Sequence, residues 1–299
     1  MDIQKFDALL IAIDSGTMTQ AASSMGYTQS AISHAIRTLE DEFNVRILSR
    51  GRSGVELTHE GQILLPYIRN ITNSFREFEN KVAEINHLHC GTVRIGTFTS
   101  VAVNWLPRIL SSFHELYPAI TFEIKHGNYA EIADWIAQGI IDCGFTITPS
   151  SAGLKNKLLF EDRLFLIYPP DHPLDKLEIV KPEDLVEYPF ILVDEGKDPI
   201  IRHFFERQNI KLDIQYRVVD DYATIAMVES NLGISVCPEL FFYRLPFKVL
   251  HRPIHTDFRR RISISYKDHF TLSPIVKEFI KHVQKWAGEN LSPLPCDKE

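Results

Sequence analysis

Apolar positions in the first ninety residues recur at intervals of three and four, the period of a helix with one buried face. Phe6, Leu9, Leu10 and Ile13 predict a helix over Ile3 to Ile13. Ala21, Ala22 and Met25 give a second, short helix a small apolar face. Thr17 or Thr19 can cap it, and Gly26 ends it, because glycine reaches a left-handed backbone without a side-chain clash. Thr28 can cap a third helix, in which Ile32, Ala35, Ile36, Leu39 and Phe43 share one face. Ser30, Ser33, His34 and Arg37 fall on the opposite face, with Gln29 at its leading end. Two short helices around a tight turn form a helix-turn-helix pattern, with Gln29 to Arg37 in the recognition position and side chains able to meet base edges in a major groove. The plainer alternative is a helical hairpin with a polar outer face.

After Phe43 the period changes. In VRILSRGRSGVELT, Val45, Ile47 and Leu48 lead in, GRSG turns, and Val55 and Leu57 return with alternation, the mark of a hairpin. A hairpin beside a helix-turn-helix is a wing, and Arg50 and Arg52 at its tip are placed to contact phosphates or enter a minor groove. Thr58 then caps a long helix through about Leu88. Within it Leu64, Ile68, Ile71, Phe75, Phe78, Val82 and Ile85 step by alternating four and three. This heptad predicts a coiled-coil seam, for which a second copy of the chain is the simplest partner. Pro66 inside this helix removes a hydrogen bond and predicts a kink.

From Gly91 the pattern alternates strands and helices. GTVRIGTF, ITFEIKHG and DCGFTI read as strands, VNWLPRILSSFHELYP and YAEIADWIAQG as helices. LLFEDRLFLIYPPDHPL reads as a strand with a crossing stretch into a second set. There PFILVDEG, IQYRVVD and GISVCP are strands, and PIIRHFFERQN and YATIAMVESN helices. RRISISYKD returns as a strand and LSPIVKEFIKHVQKWAGEN closes the chain as a helix. The pairing is expected to be mostly parallel, in two lobes around a ligand cleft beyond the strand ends. The fold class is therefore an N-terminal all-α winged helix-turn-helix with a long linker helix, followed by a C-terminal α/β two-lobed, periplasmic-binding-protein-like domain. Its expected boundaries are 1–58, 59–89 and 90–299, with lobe 1 about 90–162 and 268–292 and lobe 2 about 163–267.

Composition narrows the function. Hydrophobic content of 44% and charged content of 24% are ordinary for a soluble protein. No apolar run spans a bilayer and MDIQKFDALL is no secretory signal, which predicts a cytoplasmic location and no membrane partner. The net charge is −7, and residues 1–90 hold 8 Lys/Arg against 11 Asp/Glu. Positive charge is local instead, at Arg37, Arg46, Arg50 and Arg52. Cys143 and Cys237 sit in apolar runs, Cys90 at a domain boundary and Cys296 in the polar tail, with no paired framework. The stretch HLHC, His87 to Cys90, lacks a partner pair for zinc and reads as a hinge, so no metal or cofactor is expected. No G-x-S-x-G, P-loop, H-E-x-x-H or G-x-G-x-x-G is present, which argues against an enzyme on the α/β lobes. A solute receptor built from the clamshell alone is disfavoured by the N-terminal module.

The order of helix-turn-helix, wing, heptad helix and two lobes resembles the LysR-type bacterial transcriptional regulators over essentially the whole length. The strongest stretch is AASSMGYTQSAISHAIRTLEDEFNVRILSRGRSGVELTHEGQ. Its alanine pair, Ser33, Ile36, Leu39 and Glu40, Arg50, and Leu57-Thr58 with Gly61 sit where that family has them, whereas Ser30, His34, Asn44 and Leu48 depart from its commoner residues. The resemblance implies no catalytic role, DNA binding by Thr28, Gln29, Ser30, Ser33, His34, Arg37, Arg50 and Arg52, and assembly as a homodimer or homotetramer. It also implies RNA polymerase as a partner and an effector-sensing cleft. By resemblance, Thr97, Phe98, Thr99 and Ser100 form the ligand stretch, faced by Asn128, Thr146 and Thr148 and, across the cleft, Asp194 and Glu195. Hydroxyls beside a helix start near Val101, which Ser100 can cap, favour an anion; an acidic pair opposite suits an added amine, as in an amino acid.

Overall fold

A computed structural model describes residues 2–51, 54–85, 91–148, 153–177, 179–193, 200–267 and 272–291. The chain divides into two compact units, Met1–Leu88 with Gln138–Ile140, and His89–Ala137 with Ile141–Glu299.

The first unit begins with α1 (Ile3–Ser15), α2 (Met18–Met25) and α3 (Gln29–Phe43). Each start is capped by an oxygen: Gln4 N–H donates to Asp2 at 3.0 Å, Gln20 N–H to Thr17 at 3.2 Å and Ala31 N–H to Thr28 at 3.2 Å. Gly26 ends α2 at φ 70° and Asn44 ends α3 at φ 50°, both left-handed. Phe6, Leu9, Leu10, Ala12, Ala21, Ala22, Ile32, Ile36 and Leu39 form the shared core. The hairpin β1 (Leu48–Gly51) and β2 (Gly54–Leu57) follows, then α4 (His59–Ile85). The Thr58 hydroxyl accepts from Gly61 N–H at 2.9 Å and donates to the Arg46 carbonyl at 2.7 Å, so one side chain both caps α4 and ties it to the chain entering β1. A Cβ at Gly61 would collide with the Ile47 carbonyl.

The heptad of α4 divides into a buried and an exposed part. Ile68 is 5% exposed and packs, with Leu64 beside it, in the core of its own unit. Arg69 and Arg76 reach Asp14 and Asp7 of α1 at 2.6 and 2.9 Å. Ile68 is thus not available for a seam between chains, and Leu64 is only partly so. Ile71, Phe75, Phe78 and Val82 remain exposed, Phe78 at 62%; the Ile85 side chain lies outside the described residues. The helix runs on through Pro66, which costs one hydrogen bond and does not end it.

Glu40 is a buried charge of this unit, as Arg69 is. Its carboxylate accepts from Ile47 N–H at 2.7 Å, Leu48 N–H at 2.9 Å and Arg46 Nη1 at 2.8 Å. Burial pushes its pKa up, but hydrogen bonds from Leu48, Arg46 and Ile47 prevail and hold it below the ordinary value.

The second unit runs β3 (Gly91–Thr97), α5 (Thr99–Asn104), α6 (Leu106–Leu116), β4 (Ile120–His126), α7 (Tyr129–Ala137), β5 (Cys143–Ile147) and β6 (Lys155–Asp162). It continues with β7 (Leu164–Tyr168), β8 (Pro189–Val193), α8 (Ile200–Arg207), β9 (Asp213–Val218), α9 (Asp221–Glu229), β10 (Ser235–Pro238) and β11 (Leu250–Pro253). Then come β12 (Arg260–Tyr266) and α10 (Pro274–Asn290). Lobe 1 holds a five-stranded sheet in the order β4-β3-β5-β12-β6. Lobe 2 holds β10-β7-β11 and the pair β8-β9, joined by a bridge between Phe190 and Ile234.

Three expectations need correction. The pairing is mixed: β3 runs parallel to β4 and β5, but β12 is antiparallel to β5 and β6. The stretch LLFEDRLFLIY is two strands, broken at Arg163 where the chain changes lobe. The return to lobe 1 falls at residue 260, not 268, because β12 lies inside the first lobe's sheet. Ile262, Ile264, Ser263 and Ser265 are all buried, as a strand covered on both faces requires.

Glu40→Ala leaves two backbone N–H groups without an acceptor, a loss of about 2–4 kcal/mol from the first unit. Hydrogen exchange should show the Ile47 and Leu48 amides losing protection; unchanged protection would show that the carboxylate does not hold the wing in place.

Candidate functional site

Two surfaces carry candidate chemistry. On the first unit, Thr28, Gln29, Ser30, His34 and Arg37 are exposed along α3 and Ser33 is half-buried beside them. Thr28 is partly engaged, since its hydroxyl caps α3 and meets the Ser30 hydroxyl at 3.0 Å. Arg46 leaves the expected basic patch, held by Glu40 at 2.8 Å and Asp41 at 3.3 Å, which raise its pKa. The Arg50 side chain and Arg52 lie outside the described residues.

The second surface is a cavity of about 390 Å³ between the lobes of the second unit. Lobe 1 contributes Phe98, Thr99 and Ser100 from the start of α5, His126 from the end of β4, Gly127 and Asn128 from the loop after it, Tyr129 and Glu131 from α7, and Arg260 from β12. Lobe 2 contributes Val219, Asp221 and Phe241. Asn128 and Glu131 cap α7 reciprocally: Glu131 N–H donates to the Asn128 side chain and Asn128 N–H to the Glu131 carboxylate, both at 2.9 Å.

Arg260 governs the cavity floor. Its side chain is 1% exposed and forms a two-pronged pair with Asp162, Nε to Oδ1 at 2.9 Å and Nη2 to Oδ2 at 2.6 Å. Nη1 donates to the Tyr129 hydroxyl at 3.1 Å and Nη2 to the Ser100 hydroxyl at 3.2 Å. Burial opposes the guanidinium charge, but Asp162 and Tyr129 outweigh it and raise the pKa. Burial pushes the Asp162 carboxyl up, and Arg260 opposes that. Below the floor the Asn104 amide donates to the carbonyls of Ser100 and Leu240, both at 2.9 Å, joining the lobes.

Opposite Arg260, Asp221 from lobe 2 hydrogen-bonds Thr99, whose hydroxyl lies 3.3 Å from His126 Nε2. Burial raises the Asp221 carboxyl to about 6, while Thr99, Arg260 and His126 pull it down and Asp220 pushes it up.

Of the expected ligand residues, Phe98, Thr99, Ser100 and Asn128 line the cavity. Thr97 is buried, its hydroxyl turned to the Phe98 carbonyl. The Thr146 hydroxyl pairs with Ser265 at 2.6 Å and Thr148 with Ser263 at 3.2 Å. Both threonines are thus rungs between β5 and β12, consumed by the strand that was expected in lobe 2. Ser100 is not the cap of α5: Phe98 holds that position, no side chain caps the helix, and the Ser100 oxygen serves Arg260 instead. Asp194 and Glu195 lie outside the described residues. Arg260, Asp221, His126, Tyr129, Glu131, Val219 and Phe241 were missed. No periodicity links Arg260 to Asp162, 98 positions away. A head of three arginines on an apolar strand, Arg259 to Arg261, was the one available signal.

Among the described residues no cluster suits a metal ion, and no helix is long and apolar enough to cross a membrane. Burial pushes the Cys143 and Cys237 thiols well above their ordinary value, away from redox reactivity. The cysteines at 90 and 296, with the HLHC stretch, lie outside the described residues.

Asp221 carries a pH signature. Its folded pKa, about 6, exceeds the ordinary 3.8. Its contribution to stability is therefore complete below pH 3.8 and is lost as pH rises through 6. Asp221→Asn removes this titration. Allowing for solvent screening, the variant should exceed the parent by on the order of 1–2 kcal/mol at pH 7.5, with the gap closing toward pH 4.5. Thermal unfolding across this range checks it; a gap independent of pH counts against an elevated pKa.

Comparison with known proteins finds matches over both units. The family model described as bacterial regulatory helix-turn-helix protein, lysR family, matches residues 3–62, and that of the LysR substrate binding domain matches 86–288. The uncharacterized HTH-type transcriptional regulator YvbU of Bacillus subtilis is 26% identical over 279 residues, covering 93% of this chain and 94% of its own. A full-length OxyR variant from Pseudomonas aeruginosa superposes with a TM-score of 0.68 at 20% identity, covering 98% of this chain and 99% of that one. Full-length CbnR in complex with its target DNA does so at 0.57 and 22%, covering 96% and 100%. These relatives are regulators rather than enzymes, and the chain belongs to the LysR family of DNA-binding transcriptional regulators with an effector-binding domain.

Proposed function

We propose that this protein is a cytoplasmic regulator that reads operator DNA as a homodimer or homotetramer and alters transcription, through RNA polymerase, when a small molecule occupies the cavity. The observation that carries the DNA reading is the exposed polar face of α3, where Gln29, Ser30, Ser33, His34 and Arg37 are held over the buried stripe Ile32, Ile36 and Leu39. Arg37 is exposed. Arg50 and Arg52 contact the phosphates flanking the major groove. The exposed stripe Ile71, Phe75, Phe78 and Val82 supports pairing with a second copy, which would set two recognition helices on a two-part site.

The effector is a small carboxylate or other anion, with amino acids among the candidates. The Ser100 oxygen accepts from Arg260, which leaves its own hydrogen free to donate into the cavity. The first N–H groups of α5 lack a side-chain cap and add donors. At six residues α5 has only a small dipole, so these direct donors matter more than its field.

A gel-shift assay on DNA flanking the protein's own gene tests the first part. Arg37→Ala should lose about 1–3 kcal/mol of affinity for the operator if it pairs with a guanine edge, with far less effect on random DNA. Equal binding by variant and parent would assign base reading elsewhere. For assembly, Phe78→Glu puts an unpaired charge on the exposed stripe, costly in an apolar interface. Light scattering should report loss of the dimer held through α4, together with weaker operator binding; an unchanged mass would remove α4 from the interface.

A further inference from the structure

We infer that the effector carries an ammonium group and that Asp221 receives it. The inference rests on the reading of the cavity as the effector site and narrows the ligand to amines, most simply molecules bearing both an amine and a carboxylate.

The charges around the cavity carry the argument. Arg260 has five N–H donors, and four are already used: two by Asp162, one by Tyr129 and one by Ser100. Its positive charge is matched at contact distance by the buried Asp162 carboxylate. Of the other ionisable groups on the described wall two are carboxylates: Glu131 from α7, which also accepts from Asn128 N–H, and Asp221 from α9, to which neighbouring Asp220 adds negative charge; His126 at the end of β4 is the imidazole beside them. A ligand with a carboxylate alone meets one spare guanidinium N–H, the Ser100 hydroxyl and two carboxylates. A ligand with an ammonium as well answers both ends of the cavity.

The aromatic walls point the same way. The Arg260 guanidinium already lies over the Phe98 ring, 5.5 Å from its centre, and Phe98 packs edge to face with Tyr129 at 4.8 Å, so the ring that remains for a ligand cation is Phe241 on the opposite side. Ring faces attract cations and repel anions. Among the described residues Asp221 is also the one charged group that lobe 2 brings to the cavity, and its hydrogen bond to Thr99 crosses between lobes. An ammonium at Asp221 would therefore touch both lobes. Its charge would also lower the raised carboxyl, so that binding near pH 6 releases a proton to solvent.

The test uses the full-length protein and matched sets of small molecules: the common L-amino acids, the 2-oxo acids that replace their amine with a carbonyl, and the amines that lack their carboxylate. Thermal shift and calorimetry follow each set against the parent, Asp221→Asn, Asp221→Glu and Phe98→Ala. At least one amine-bearing compound should raise Tm by several degrees and bind at least tenfold more tightly than its oxo counterpart. Asp221→Asn should lose that tenfold and Asp221→Glu, which keeps the charge, should retain part of it. Calorimetry at pH 6 in buffers of different ionisation enthalpy should show proton release by the parent and none by Asp221→Asn. The inference falls if an oxo acid binds as well as its amino acid, if Asp221→Asn binds the amine unchanged, or if no amine in the sets shifts the parent. An oxo acid whose binding is removed by Phe98→Ala would overturn the ammonium and keep the cavity; a ligand indifferent to both Asp221→Asn and Phe98→Ala would overturn the cavity as well.

Discussion

The second unit depends on one buried ion pair. Asp162 is the last residue of β6 before the chain leaves lobe 1, and Arg260 is the first residue of β12 on its return. Their two-pronged contact fastens both crossings at one point. Leu240 N–H adds a third strand of the connection by donating to Asp162 at 3.4 Å. From the same guanidinium come the positions of Ser100 and Tyr129, and with them the cavity floor. A pair this deeply buried gains little net stability over an apolar pair, but losing one partner strands a charge, at several kcal/mol. Its value here is geometric, since it sets where two lobes and a cavity wall meet.

The first unit uses a different economy. One helix, α4, supplies Leu64 and Ile68 to the domain's own core and presents Ile71, Phe75, Phe78 and Val82 to solvent. Arg69 and Arg76 fix the rotation of that helix against α1, so the exposed stripe has a set direction relative to α3. Glu40 does the same for the wing, binding the chain that enters β1 to the end of the recognition helix.

Local signals were legible along the chain. The caps Thr17, Thr28 and Thr58, the left-handed Gly26 and the stripe Ile32, Ile36, Leu39 each act within a few residues, and the elements they predict are present. The stretches that failed depend on distant partners. A seven-residue repeat states that a face is apolar, not what covers it, which is why Leu64 and Ile68 were assigned outward. The strand RRISISY carries no mark of the lobe that receives it, and that single misplacement sent Thr146 and Thr148 to the cavity rim when Ser265 and Ser263 take up their hydroxyls. Asp221 was invisible for the same reason: what distinguishes it from Asp220 beside it, which simply caps α9, is the arrival of Thr99 from the other lobe.

The sheet order of lobe 1 has a consequence for how the protein is made. The strand β12 lies between β5 and β6, yet it is synthesised after all of lobe 2. On the ribosome lobe 2 can close while lobe 1 still has an open edge at β5 and an Asp162 without its counter-charge. The cavity comes into being only when residues 260–266 emerge. A chain stopped before them would keep its helix-turn-helix and its wing but would have no floor on which any ligand could rest.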